Sequence, residues 1–233
     1  MKPKIVVVAY HIGRIGSSAM MGILRIAGLK VGSENGLVSP APINSKGFLE
    51  LIAVKPFIKE AFRGYYPNIT DPPPINEVIR FGKKNAGKYR ELILSLLGNQ
   101  GPYAIKAQRF LPLAFFYFLQ DEFDIKVIVM NRQEEKQVDS IIRVWHRFPP
   151  EPRYRNVSRE TVIDYVRQWK KFSLNFMEHF KFDYYPVSFE DLITATPATL
   201  RGIFDFIAEP IPESTSINQW LDQSLVNQPD YPW

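Results

Sequence analysis

A short turn with two glycines, one arginine and two serines follows the first apolar run of the chain. The segment reads GRIGSS over residues 13–18, and its glycines permit a tight turn and a close backbone approach to a ligand. The backbone N–H groups that follow open a predicted helix, whose dipole favours an anion at that end. The arginine adds forked donors that suit a phosphate or sulfate group. The candidate anion-binding residues of this turn are Gly13, Arg14, Gly16, Ser17 and Ser18.

The turn differs from the usual triphosphate-binding loop in where its cation lies. That loop, G-x-x-x-x-G-K-[ST], has a lysine directly after its last glycine, which reaches the β and γ phosphates. Here Ser17 and Ser18 follow Gly16, and the cation is Arg14. These residues alone leave two interpretations open. One is an anion site of a different kind, and the other is an ordinary strand–helix turn in which a serine caps the helix.

A second arginine and a serine are spaced so that they could hold one phosphate between them. The segment from Lys126 to Arg147 begins with a buried-strand pattern that runs into Arg132, and a helix is predicted from Glu134. Ser140 lies about two helical turns beyond Arg132. An arginine at a strand end also commonly pairs with a surface carboxylate, and a serine within a helix is often only exposed or bonded to its own backbone. The spacing therefore supports a phosphate site only in combination with other features.

Alternating strand and helix patterns predict the scaffold that positions these residues. Continuous β-branched runs are typical of strands buried on both faces of a parallel sheet. Helical stretches between them favour right-handed crossovers, and ligands of such sheets bind at the carboxyl ends of the strands. The predicted strands are Ile5 to Tyr10, Tyr103 to Ala107, Lys126 to Met130 and Tyr184 to Val187. The predicted helices are Ser17 to Ala27, Phe48 to Phe62, Ile75 to Leu97, Leu111 to Asp121, Glu134 to His146, Ser158 to Phe180 and Pro197 to Ile207.

The composition predicts one folded domain without cysteine or metal chemistry. No linker-like segment divides residues 1–233, although a tail is predicted from about residue 216. Cysteine is absent, and the three histidines have no metal-ligand spacing. The net charge of +5 is spread along the chain, so nucleic acid is not a predicted partner. No apolar run has the length of a signal peptide core or a membrane span, which predicts a cytoplasmic protein.

Four segments together resemble the sulfotransferases that use 3′-phosphoadenosine 5′-phosphosulfate (PAPS). GRIGSSAMMGILRIAGLKVG looks like the 5′-phosphosulfate loop of that family, whose pattern is close to P-R-S-G-[ST]-[ST], and the pair Arg132 and Ser140 matches its 3′-phosphate site. NSKGFLE, residues 44–50, is similar to the N-P-K-G-[FY]-x-E segment of bacterial members, and residues 187–207 resemble a late signature that begins Y-E-D-L. The resemblance covers residues 5–207. It implies a P-loop-NTPase-like, three-layer α/β/α fold with a mostly parallel central sheet.

The resemblance also implies a reaction and a way of binding the donor. A sulfuryl group would pass from PAPS, by in-line displacement and without a metal, to a hydroxyl or amine of a small-molecule or glycan acceptor. The product of the donor would be adenosine 3′,5′-bisphosphate. Arg14 and the N–H groups of the turn would hold the 5′-phosphate, while Arg132 and Ser140 would hold the 3′-phosphate.

Two candidate catalytic residues, Lys106 and Glu50, follow from the same resemblance, and His11 is a third because it lies at the end of the first predicted strand. Lys106, together with Ser18, would neutralise charge as the bridging bond of the donor breaks. Cytosolic members of the family carry a catalytic histidine where this chain has Gln108, and a glutamine side chain cannot take a proton at neutral pH. The proton of the acceptor would pass instead to Glu50, which we favour, or to His11.

Other departures from the family pattern keep alternative functions open. Gly13 and Ile15 replace a proline and a serine of the loop, and Glu134 replaces a proline after the strand-end arginine. One alternative is a P-loop kinase or nucleotide hydrolase, which the same fold supports. Another is a nucleotide-binding protein without transfer activity. The segments expected to determine the acceptor are residues 51–74 and 147–155, and neither indicates its chemical class.

Overall fold

A parallel sheet forms the centre of the fold. The computed structural model describes residues 2–39, 49–61, 71–98, 100–147 and 154–221. In these ranges the strands are β1 (Lys4–Tyr10), β2 (Tyr103–Gln108), β3 (Asp124–Asn131) and β4 (Tyr184–Ser188). Their order in the sheet is β2-β1-β3-β4, and every pairing is parallel. The predicted α/β class and its parallel sheet are therefore confirmed.

Helices cover both faces of this sheet, which confirms the expected three layers. The helices of the described ranges are α1 (Ser17–Ile26), α2 (Val54–Ala61), α3 (Ile75–Leu97), α4 (Leu113–Tyr117), α5 (Glu134–Arg147), α6 (Arg159–Phe180), α7 (Phe189–Thr194), α8 (Pro197–Ile207) and α9 (Ser214–Trp220). In these ranges no helix is both long and apolar enough to cross a membrane.

Strand β1 lies inside the sheet, and the other three strands run parallel to it. Its residues Ile5 to Ala9 are fully buried, because strands flank it on both sides and helices cover both faces. Since all four strands run in the same direction, their last residues meet at one edge of the sheet. These residues are Tyr10, Gln108, Asn131 and Ser188. The turn of residues 13–16 follows β1 at that edge.

The helix predicted from Phe48 to Phe62 begins later than expected. Leu51 forms an antiparallel bridge with Leu37, and the Val38 N–H donates to the Glu50 carbonyl at 2.8 Å. The residues around position 50 therefore pair with a distant segment in an extended conformation, and helix α2 starts only at Val54. The two ends of the predicted helix, residues 48 and 62, lie outside the described residues.

Three further differences concern short helices. The helix predicted from Leu111 to Asp121 is limited to α4. Directly after it, backbone N–H groups donate to the carbonyl three residues earlier, as from Leu119 to Phe116, which is the pattern of a turn and not of an α-helix. The sequence analysis did not predict α7 or α9. Ile217 of α9 is fully buried, so the predicted tail from about residue 216 is wrong for residues 216–221. Residues 222–233 lie outside the described part of the chain.

Candidate active site

The turn between β1 and α1 has a backbone geometry that would let a ligand approach its main chain closely. Gly16 precedes the first residue of α1 and has a φ of 83°, a conformation that glycine adopts without strain. Arg14 has a φ of 68°, which is unfavourable for a residue with a side chain. Helix α1 starts at Ser17, so its first N–H groups face the carboxyl edge of the sheet. The predicted turn thus has a strained backbone at a helix N-terminus, an arrangement that fits an anion site.

Lys106 reaches the turn from the neighbouring strand β2. In the parallel register Val8 lies beside Lys106 and Tyr10 beside Gln108, so these side chains lie on one face of the sheet. Lys106 is 7% exposed, and its Nζ donates to Ser18 Oγ at 2.8 Å. Burial lowers the pKa of Lys106 to about 8, although the Glu50 carboxylate acts to raise it. The structure therefore brings Lys106 and Ser18 together, as the sequence analysis expected.

Glu50 completes this side of the site. Its Oε1 accepts a hydrogen bond from the Tyr10 hydroxyl at 3.1 Å and lies 3.7 Å from Lys106 Nζ. Its Oε2 lies 3.0 Å from Lys55 Nζ. Burial acts to raise the pKa of the Glu50 carboxyl, but Lys106 and Lys55 outweigh it, so the pKa lies below its ordinary value. Glu50 is thus an ionised carboxylate beside Lys106, and its low pKa makes it a weak base.

Arg14, Arg132 and Ser140 form a second group on the other side of the turn. Arg14 Nε donates to Ser140 Oγ at 3.1 Å, and Arg132 Nη1 donates to the Arg14 carbonyl at 2.8 Å. Burial lowers the pKa of Arg14, and the charges of Arg132 and Arg143 lower it further. The sequence analysis assigned Arg14 to the 5′-phosphate. The structure places part of its guanidinium against Ser140, the residue expected to bind the 3′-phosphate.

Phe189 and Glu190, at the start of α7, contact Arg132 and were not predicted as site residues. The Arg132 guanidinium lies over the Phe189 ring, 4.6 Å from its centroid. Arg132 Nε and Glu190 Oε1 are 4.0 Å apart. These two residues directly follow the last residue of β4, at the same edge as the other site residues. That position after a predicted strand was the signal from which they could have been found.

His11 faces away from Lys106. Its Nε2 lies 3.1 Å from Gln137 Oε1, and Gln137 Nε2 donates to the Gly13 carbonyl at 3.1 Å. Since the Gln137 amide donates to Gly13, its oxygen accepts from His11, so His11 carries its proton on Nε2. Burial lowers the pKa of His11 to about 4. His11 lines a cleft of about 640 Å³ beside α6, together with residues such as Asn131 and Ser173, whereas Lys106 and Glu50 line a different one.

The cleft beside Lys106 and Glu50, which we call the β2 cleft, lies between strand β2 and helix α2. Gln108 and Arg109 also line it, at the end of the strand. Its remaining wall is apolar, and besides Tyr10 the apolar lining residues are Leu51, Val54, Ile58, Ile105, Leu111 and Pro112. Of the segments expected to determine the acceptor, residues 51, 54, 55 and 58 therefore border the site. Residues 62–70 and 148–153 lie outside the described part of the chain.

The described residues contain no cluster of three or more His, Asp or Glu side chains placed to hold a metal ion.

No protein-family model matches the chain, and no curated protein matches its sequence. Among solved structures, the chain is similar to the sulfotransferase domain from the Synechococcus PCC 7002 olefin synthase. The identity is 15% over 99% of this chain and 82% of that chain, and the TM-score is 0.49. The functional assignment therefore depends on the residues of the site itself.

Proposed function

We propose that this chain is a PAPS-dependent sulfotransferase. The observation that carries the proposal is the separation of cations into two groups on either side of one helix N-terminus. Lys106 lies at Ser18 on the β2 side, and the Arg14 and Arg132 pair lies near Ser140 on the β3 side. PAPS has the matching distribution of charge, because its phosphate–sulfate anhydride is at the 5′ position and a separate phosphate is at the 3′ position.

The two groups of residues would bind different parts of the donor. The 3′-phosphate would lie at Arg132 and Ser140, and the 5′-phosphate would lie at the first N–H groups of α1. Arg14 contacts Ser140 and lies in the turn itself, so it would contribute to the binding of both phosphates. Arginine suits this role, since its planar fork of donors can bind two oxygens at once.

The residues on the β2 side would act on the reacting atoms. The acceptor oxygen or nitrogen forms a bond to sulfur while the bond between sulfur and the 5′-phosphate oxygen breaks. Lys106 and Ser18 would stabilise the negative charge that develops on that oxygen. The acceptor proton would pass to Glu50, which borders the β2 cleft. The apolar wall of this cleft supports an acceptor with an apolar part beside its hydroxyl or amine.

One observation favours a second candidate function. Gln108 lines the β2 cleft where a catalytic base would be expected from the family resemblance, and its amide cannot take a proton. A protein that binds adenosine 3′,5′-bisphosphate without transferring sulfate would tolerate this residue. Transfer of radiolabelled sulfate from PAPS to a panel of phenols, alcohols and amines distinguishes the two functions. Binding without transfer to any acceptor would favour the second.

The first test concerns the 3′-phosphate. We expect Arg132→Ala to weaken the binding of adenosine 3′,5′-bisphosphate by roughly 10- to 150-fold, because a charge-assisted contact is worth about 1.5–3 kcal/mol. Binding of adenosine 5′-phosphate should change far less, since it lacks the 3′ group. Isothermal titration calorimetry with both ligands measures the difference. Arg25→Ala is the matched control, because Arg25 is an exposed residue in the last turn of α1. Equal losses for both ligands would contradict the assignment.

We also expect transfer to be independent of divalent metal ions. Lys106 and the arginines supply the positive charge that Mg²⁺ supplies in nucleotide kinases. Initial rates measured in excess EDTA should equal those measured with added Mg²⁺. A parallel titration with ATP and Mg²⁺ tests the kinase alternative. Loss of transfer in EDTA and its recovery with Mg²⁺ would support a kinase-like site instead.

A further inference from the structure

The Phe189 ring contacts both the anion-binding turn and Arg132. A methyl group added to Gly16 would overlap the ring of Phe189, so the ring occupies the space that a side chain would take at this turn. The Arg132 guanidinium lies over the same ring, 4.6 Å from its centroid. A single rigid side chain therefore contacts both the turn and the cation that the proposed function assigns to a second anion.

Arg132 has few other restraints among the described residues. Its Nη1 donates to the Arg14 carbonyl at 2.8 Å, which connects it to the same turn. Its Nε and the facing Glu190 Oε1 are buried without a hydrogen-bond partner in the described part of the chain, at 4.0 Å from each other. An unpaired buried donor is costly, and a ligand oxygen would satisfy it. The direction of the Arg132 guanidinium therefore depends on the Arg14 carbonyl and on the Phe189 ring.

We infer that Phe189 is a positioning residue that sets the distance between the two anion sites. The flat, rigid ring contacts both Gly16 and Arg132, and it acts with the hydrogen bond from Arg132 Nη1 to the Arg14 carbonyl to keep the helix N-terminus and the guanidinium at a fixed separation. That separation selects nucleotides with phosphates on both the 3′ and the 5′ position over nucleotides that carry only a 5′ group. The inference rests on the proposed function for the identity of the ligand, and it adds the residue that determines the selectivity.

The experiment compares ligand preference across a set of phenylalanine variants. Dissociation constants for adenosine 3′,5′-bisphosphate and adenosine 5′-phosphate are measured by calorimetry for the wild-type protein, Phe189→Leu and Phe189→Tyr. We expect Phe189→Leu to reduce the preference for the bisphosphate by roughly 3- to 30-fold, the range of a partly desolvated cation–π contact. Phe189→Tyr keeps the ring and should retain the preference.

Phe206→Leu is the matched control. Phe206 stacks on Tyr185 and has the Lys126 ammonium 5.3 Å from its ring centroid, so it also combines an aromatic packing role with a nearby cation. It belongs to α8 and has no assigned role in ligand binding. We expect this variant to show the wild-type preference. Circular dichroism and thermal unfolding of each variant establish that it is folded, and Phe189→Met replaces Phe189→Leu if the latter is not.

The possible results separate the inference from the proposed function. A wild-type protein without preference for the bisphosphate would contradict the proposed function. A wild-type preference that Phe189→Leu retains in full would overturn the inference and leave the proposed function intact. Equal weakening of both ligands in Phe189→Leu would also overturn it, because it would indicate a general packing role for the ring.

Discussion

Replacing Lys106 with methionine is expected to lower the turnover of sulfate transfer by roughly 10²–10³, the usual effect of removing one donor that stabilises developing charge. The ammonium of Lys106 is buried and bonded to Ser18 Oγ at 2.8 Å, so no solvent competes for it at the turn. In the proposed mechanism its charge would lie beside the 5′-phosphate oxygen that leaves. Initial rates with radiolabelled PAPS at saturating donor measure the effect.

Lys55→Met is the control for this variant. Lys55 also forms an ion pair with Glu50, at 3.0 Å, but its side chain is 48% exposed, whereas that of Lys106 is buried. If Lys106 acted only by pairing with Glu50, the two variants should lose similar activity. We expect the loss in Lys55→Met to be much smaller. Similar rates in Lys106→Met and the wild-type protein, for an acceptor that is a true substrate, would exclude the proposed role.

The sequence predicted the sheet and its functional edge because the signals for both are local. Ile5 to Tyr10 is a continuous β-branched and apolar run, and the structure buries it inside a parallel sheet. The positions of Arg132 and Ser140 follow from the end of β3 and the start of α5, each with its own local pattern. Local patterns therefore predicted the strand and the helix beside which these residues lie.

The contacts between distant segments could not be read in the same way. Glu50 was expected near a helix start, but its segment pairs with residues 36–38, a contact that no local pattern announces. The direction of the Arg14 side chain depends on Ser140, more than a hundred positions away. The contact between the Phe189 ring and Gly16, from which we infer a positioning role for Phe189, forms only in the folded chain. The partners of the functional residues thus required the tertiary structure.

The orientation of His11 away from Lys106 was not predicted, although strand alternation alone would have indicated it. Tyr10 and His11 are consecutive, so in an extended chain their side chains turn to opposite faces of the sheet. Tyr10 bonds to Glu50 on the side of Lys106, and His11 bonds to Gln137 on the side of α5. The same two-residue period places Lys106 and Gln108 with Tyr10. This separation favours Glu50 over His11 as the group nearest the reacting atoms.

Replacing Glu50 with glutamine is expected to lower turnover by roughly 10²–10⁴, the scale of general-base catalysis, while donor affinity stays nearly unchanged. The structure gives Glu50 two possible roles, because the carboxylate borders the β2 cleft and also lies 3.7 Å from Lys106 Nζ. It could take the acceptor proton, or it could keep Lys106 charged. The dependence of the defect on pH separates these roles.

The sign of that dependence follows from the two pKa values. Lys106 has a pKa of about 8, and the Glu50 carboxylate acts to raise it. Loss of the carboxylate therefore lowers the pKa of Lys106 further, so more of it is neutral near pH 8 while nearly all of it stays charged near pH 6. If Glu50 only maintains this charge, the defect of Glu50→Gln should be large near pH 8 and small near pH 6. If Glu50 is the base, the defect should already be large near pH 6, where Lys106 stays charged, because the pKa of Glu50 lies below its ordinary value and the carboxylate is ionised at that pH.

His11→Asn is the competing variant. The pKa of His11 is about 4. Its Nε2 is hydrogen-bonded to Gln137, whose amide also donates to the Gly13 carbonyl. We expect this variant to keep the shape of the wild-type pH–rate profile above about pH 5, because His11 is already neutral there. A profile that loses its acidic limb only in His11→Asn would identify His11 as the base. Full turnover of Glu50→Gln at both pH values would exclude Glu50 from both roles, and the acceptor proton would then pass to His11 or to the transferred sulfate itself.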